Sequence, residues 1–330
     1  MKNKKLLTFG IALMLLPMLF MSVTVTQAQA ADKLIIVCTT SAVGNLAEEY
    51  LGDTADVVLL VQPGLCPADF EMAPSIVYAV SNAKILFKQG IPGEFWLDGL
   101  LEASGNENLT VVTIPGLYNT PEGAKNYIRG VGGNLSQILD VNLDSKTSEL
   151  LNDVDEVSSW IASQAESLQL STVKVICMSW LKTFIESAGF NVVATYNPPE
   201  TLSAGDITVL LETAQTEGVA LVVDNLQIDV EFGVGIASQV GAQHLVLTNF
   251  PGAIPGTENL PKMLRYNAEQ LFNGTLTWQS TSALKAENDD LQNQVTIFQI
   301  TTSLALVIVA VEAVLLYTKR KKNRVHQKWV

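Results

Sequence analysis

Histidine is nearly missing from this chain. Its 330 residues hold two, His244 and His326. A metal cage built from several imidazoles cannot be assembled from one histidine in the body of the chain. A Ser-His or Cys-His catalytic pair would also have to use His244. That residue opens an apolar, strand-like run and reads as a structural histidine. Gly-x-Ser-x-Gly, Walker A, His-Glu-x-x-His and Cys-x-x-Cys are all absent. The chain therefore has few candidate bases and reads as a non-enzyme. Cysteine is scarce as well. Cys38, Cys66 and Cys177 are three, an odd number that admits one disulfide plus a free thiol, three free thiols or an intermolecular link.

Positive charge is missing where it would matter for polyanions. Nine of the 20 basic residues lie in the two ends, and only one of the 33 acidic residues does, so residues 31–296 carry about −21. Nucleic acid and anionic lipid are poor partners for such a surface. A cationic ligand is admitted, although acidic surfaces also serve solubility. Gly130-Val131-Gly132-Gly133 follows a helical pattern, whereas a dinucleotide fingerprint needs strand, turn, helix.

The ends are rich in what the middle lacks. Lys2, Lys4 and Lys5 precede an apolar run to about Val25, and Ala28-Gln29-Ala30 supplies a small-x-small cleavage pattern. Residues 1–30 read as a signal peptide, with an uncleaved anchor as the alternative. Cys38 sits inside a strand pattern with no small residue before it, so a lipoprotein signal is not expected. Residues 297–317 form a second apolar segment, long enough to cross a hydrocarbon core of about 30 Å. Lys319, Arg320, Lys321, Lys322 and Arg324 follow and hold residues 318–330 in the cytoplasm. The expectation is a single-pass membrane protein with an extracytoplasmic ectodomain. Glu312 within the span is either a partner contact or a protonated or snorkelling side chain. Sequons at Asn108, Asn134 and Asn273 suit an exposed glycoprotein.

Between the ends, short β-branched runs alternate with helical patterns. Strands are expected at 33–38, 55–61, 84–87 and 109–113, and again at 173–178, 191–195, 219–224 and 244–248. Helices are expected at 41–51, 73–83, 95–103, 180–188, 230–240 and 260–272. Another is opened by Ser203, with Asp206 as its capping-box partner. Leu150, Val154, Val157, Ile161, Ala165 and Leu168 repeat at helical spacing and mark one long helix. The fold class is α/β: an N-terminal lobe (31–143) and a C-terminal lobe (171–274), both with mostly parallel sheets, joined by an interlobe helix (144–170). Ligands favour the carboxyl ends of such strands. A stalk (275–296) carries Leu284, Asn288, Leu291 and Val295 at d-a-d-a positions. A homodimer through 284–295 and a singly helical or flexible stalk are the two readings.

Several stretches resemble the zinc- and manganese-class solute receptors of ABC importers. They are Cys38-Thr39-Thr40-Ser41, Leu60-Val61-Gln62-Pro63-Gly64, Pro67-Ala68-Asp69-Phe70-Glu71, Pro74-Ser75, Asn82-Ala83-Lys84-Ile85-Leu86-Phe87, Trp96-Leu97-Asp98 and Met263-Leu264-Arg265-Tyr266-Asn267-Ala268-Glu269. The resemblance spans about residues 33–273. It implies a rigid interlobe helix and a receptor that delivers a metal ion to permease and ATPase subunits. It also implies four metal-ligand positions, which fall here on Ala68, Gly116, Met178 and Asn249, none a usual ligand. Cys66 and Cys177 stand beside two of them. A soft-metal site of Cys66, Cys177 and Met178 would suit Cu(I) better than Zn. A Cys66–Cys177 disulfide, or plain packing, are the alternatives. The expected function is a membrane-anchored solute-binding receptor of altered ligand specificity. The alternative is a surface-anchored interaction or adhesion protein that keeps the scaffold without metal.

Overall fold

A computed structural model of the chain describes residues 33–326. The signal-like segment 1–30 and residues 327–330 lie outside the described residues. Among the described residues eight strands make two four-stranded sheets. The first contains β1 (Leu34–Cys38), β2 (Ala55–Leu59), β3 (Ile85–Lys88) and β4 (Thr110–Thr113) in the order β2-β1-β3-β4. The second contains β5 (Lys174–Met178), β6 (Asn191–Tyr196), β7 (Leu221–Asn225) and β8 (Gln243–Leu247) in the order β6-β5-β7-β8. The pairings of β1 with β3, β3 with β4, β5 with β6, β5 with β7, and β7 with β8 are all parallel. The two halves therefore repeat one winding. In each, the chain steps one way from its first strand and then crosses to the other side. That reversal, between β1 and β3 and again between β5 and β7, leaves a crevice at the strands' carboxyl ends.

Helices cover the sheets because the central strands are apolar on both faces. Ile36, Val37 and Cys38 of β1, Ile85, Leu86 and Phe87 of β3, and Val175, Ile176 and Cys177 of β5 are all fully buried. In the first half, α1 (Ser41–Leu51), α2 (Pro74–Asn82), α3 (Leu97–Ser104) and α4 (Pro121–Leu139) provide the cover. The helical pattern before Gly130 does not stop at the glycines: α4 runs through them. Gly132 is there for close packing, since a Cβ on it would lie 2.4 Å from the Tyr50 hydroxyl of α1. That hydroxyl donates to the Ile128 carbonyl at 2.9 Å.

Helix α5 (Asp144–Ser167) links the halves and buries Leu150, Val154, Val157 and Ile161, the stripe expected from their spacing. The second half is covered by α6 (Lys182–Ser187), α7 (Ala204–Glu217) and α8 (Glu231–Val240). The Ser203–Asp206 capping box forms at the start of α7. The last helix, α9, differs from expectation. It does not end near residue 272 but continues from Leu260 to His326 as one element of 67 residues, about 100 Å long at 1.5 Å per residue. No proline interrupts it, and its one glycine, Gly274, lies where Leu245 approaches too closely for a Cβ. Its first turns are held by tertiary contacts. Trp160 of α5 packs against Phe272 at 5.4 Å between centroids, and the Arg265 guanidinium lies 4.3 Å from the Trp160 ring. Beyond residue 282 its described side chains are exposed, and it includes a stretch long and apolar enough to cross a membrane.

Candidate functional site: an interlobe cleft

The crevice ends of the two sheets meet in a cleft of about 660 Å³. Its floor on the first half is set by a buried carboxylate. Glu94 accepts backbone N–H bonds from Gln89 at 3.0 Å, Gly90 at 2.6 Å and Ile91 at 3.2 Å, and a hydroxyl bond from Thr39. Those groups follow β1 and β3, so one side chain ties both strand ends together. Thr40 donates to Gln89 at 2.6 Å across the same gap. The loop after β2 is clamped from the side: Trp96 donates to the Pro67 carbonyl at 2.8 Å and stacks on Phe70 with centroids 3.7 Å apart. The clamp leaves Cys66, Ala68 and Asp69 on the cleft wall. Gly116 joins them, its carbonyl accepting from the buried Tyr127 hydroxyl at 3.0 Å.

The second half contributes Trp180 after β5, Asn225, Gln227, Ile228 and Asp229 at the end of β7, and Asn249 and Phe250 after β8. Two amide side chains join the halves. Asn119 donates to the Trp180 carbonyl at 3.0 Å and to Asn249 Oδ1 at 3.1 Å. Gln227 donates to the Pro63 carbonyl and to Thr248 Oγ1, both at 2.9 Å. Tyr118 stacks on Phe250 beside them, with centroids 6.1 Å apart.

Of the four ligand positions implied by the resemblance, Ala68, Gly116 and Asn249 line this one cleft and Met178 does not. The candidate soft-metal trio is not assembled. Cys66 reaches the wall, whereas Cys177 and Met178 are fully buried and absent from the lining. They are the last residues of β5, inside the packed sheet, and Trp180 takes the cleft position two residues on. All three cysteines are free, so the alternative Cys66–Cys177 disulfide is not formed either. Among the described residues no group of three or more His, Cys, Asp or Glu stands where it could hold a metal ion. Burial pushes the Cys177 thiol up to about 12. Burial raises the Cys66 thiol too, opposed by a backbone hydrogen bond at Ala68 and helped by the charges of Asp69 and Glu200. Both shifts disfavour the thiolate, the form that binds a metal. His244 is structural: its Nε2 lies 2.7 Å from Oδ2 of fully buried Asp224, which also accepts from the Tyr196 hydroxyl.

The cleft's amides, Asn119, Asn225 and Gln227, were not among the residues expected to form a site. The signal available was their place: Asn225 ends β7 and Gln227 follows it, beside the reversal, where ligands bind.

A family model for the periplasmic zinc-uptake complex component A, ZnuA, matches residues 36–274. The chain belongs to this family. The manganese-binding lipoprotein MntA of Halalkalibacterium halodurans is 24% identical over 280 residues, which cover 75% of this chain and 90% of the relative. The iron ABC transporter substrate-binding lipoprotein MtsA of Streptococcus pyogenes is 30% identical over 106 residues, 31% of this chain and 34% of the relative. Among solved structures, ZnuA superposes with a TM-score of 0.62 at 19% identity, covering 73% of this chain and 99% of that one. A Mn-bound periplasmic metal binding protein from Candidatus Liberibacter asiaticus gives 0.59 at 14% identity, covering 74% and 100%. The architecture, two parallel sheets with an interlobe cleft, is the ZnuA-family fold. The exposed C-terminal half of α9 lies beyond the family match.

Proposed function

We propose that this chain is the extracytoplasmic solute-binding receptor of a metal-type ABC importer, anchored by its own C-terminal helix, with a cleft that does not cage a transition metal. It works with permease and ATPase subunits and is not an enzyme. One observation carries the altered specificity: Ala68, Gly116 and Asn249, three positions where the resemblance puts metal ligands, share a single cleft and offer it no imidazole, thiolate or carboxylate. Closure between the sheets is held by the Asn119 and Gln227 bridges. A solute that touches both sides favours the closed form by its extra contacts there.

Anchoring by helix rests on α9 and on the cysteines. The relatives named above are lipoproteins. Here Cys38 is fully buried in β1, where no lipid could be attached. Residues 297–317 are apolar and exposed, and are followed by a basic cluster, the pattern of a single span with a cytoplasmic tail. The exposed stripe Leu284, Asn288, Leu291 and Val295 fits a parallel homodimer just outside the membrane.

The test is elemental analysis of the purified full chain after incubation with Mn, Zn, Fe and Cu(I), with thiols counted by mass spectrometry. Substoichiometric metal and three reduced cysteines are expected. One tightly held equivalent of any of these metals would end the altered-specificity reading. Deleting residues 297–330 should release the protein from membranes into the soluble fraction.

A further inference from the structure

The cleft's walls say more about its solute than that it is not a bare ion. Its volume, about 660 Å³, falls in the range of small-molecule sites, roughly 300–1,000 Å³. Large apolar side chains stand open to it: Phe95 is 73% exposed, Leu117 56% and Trp180 44%. Three carboxylates, Asp69 from the first half and Glu200 and Asp229 from the second, lie on the same lining. Among the described residues no Lys, Arg or His does. Asp69 and Glu200 come from different halves, and the charge of each raises the Cys66 thiol.

We propose that the cleft binds an organic ammonium: a protonated primary or secondary amine on an apolar body. Its N–H groups donate to the rim carboxylates Asp69, Glu200 and Asp229. Its body lies against Trp180, Phe95 and Leu117, and the aromatic faces attract the positive charge. This rests on the reading that the cleft holds no caged transition metal.

The test uses the full chain in detergent and three ammonium probes: phenethylammonium, cyclohexylmethylammonium and spermidine. Controls are 3-phenylpropionate, 3-phenylpropan-1-ol, Mn²⁺ and Zn²⁺. Two readouts are taken, Tm and the rate at which iodoacetamide alkylates Cys66 on the cleft wall. At least one ammonium should raise Tm and protect Cys66, while the carboxylate and alcohol do neither. Glu200→Gln and Asp229→Asn, both at exposed positions, should each weaken that binding about tenfold, the loss expected for a charge-assisted hydrogen bond. If no ammonium protects Cys66 and no metal binds, the ammonium assignment fails and the altered-specificity reading stands. If stoichiometric Mn²⁺ or Zn²⁺ protects Cys66, both fail. Equal protection by the carboxylate or alcohol would refute the charge assignment.

Discussion

At the scale of single residues, what matters is whether a buried polar group has a partner. Asp224 has two, His244 and Tyr196. Burial and then the Asp224 charge hold the Tyr196 hydroxyl well above its ordinary range, so it stays protonated and donates. Tyr196→Phe leaves the buried carboxylate short of a donor. It should lower stability by about 1–3 kcal/mol, read by chemical denaturation. The cysteines make a second prediction. Native protein should be alkylated at Cys66 alone, because Cys38 and Cys177 are fully buried. Cys177 is also linked to pH. Its folded value near 12 exceeds the ordinary 9.0, so the folded state keeps a proton that the unfolded state loses. That contribution to stability is present below pH 9 and is lost as pH rises from about 9 to about 12. Cys177→Val should flatten part of the alkaline fall in Tm.

At the scale of elements, glycine in a helix shows how packing overrides propensity. Alanine is favoured over glycine in a helix interior by about 1 kcal/mol. At Gly132 of α4 the added methyl would meet the Tyr50 ring, whose hydroxyl is held by Ile128 and by Thr147 at 3.0 Å. Gly132→Ala should therefore destabilise the protein by about 1–3 kcal/mol, whereas exposed Gly133, with open space around it, should gain from the same change. Equal effects at the two positions would refute the packing argument. The continuity of α9 belongs to this scale too. Residues 273–296 are polar but contain good helix formers and no proline, so nothing in them stops a helix already fixed by Phe272 and Arg265.

At the scale of the whole molecule, two amide bridges hold the cleft's sides together. Gln227→Leu removes the bond to the Pro63 carbonyl. It should speed amide hydrogen exchange in residues 64–69 and leave exchange in β1 and β5 unchanged, since those strands sit in intact sheets. Uniform acceleration would mean global destabilisation instead. Residues 284–295 of α9 make the other prediction. Light scattering should find the detergent-solubilised chain as a dimer, and Asn288→Leu should alter its oligomeric state, because a buried Asn at an a position restricts both register and number of strands. An unchanged monomer in both proteins would remove the homodimer.

Strand and helix order was legible in the sequence because burial on both faces demands unbroken β-branched runs, as in Leu34–Cys38, and amphipathic helices demand spacing such as Leu150, Val154, Val157 and Ile161. The near-absence of histidine was legible too, and it excluded a multi-imidazole cage before any fold was known. What the sequence could not decide was which way side chains point at strand ends. Met178 and Cys177 stand two and three residues before the cleft residue Trp180, yet the pleat and the helices over β5 bury both and present Trp180. The pairing of Asn119 with Asn249, 130 residues apart, and the placing of Asp69 and Glu200 on one cleft lining arise only when two separately wound sheets face each other. Local pattern reports how each segment buries its own apolar face; a cleft is made of what is left over after distant segments have packed.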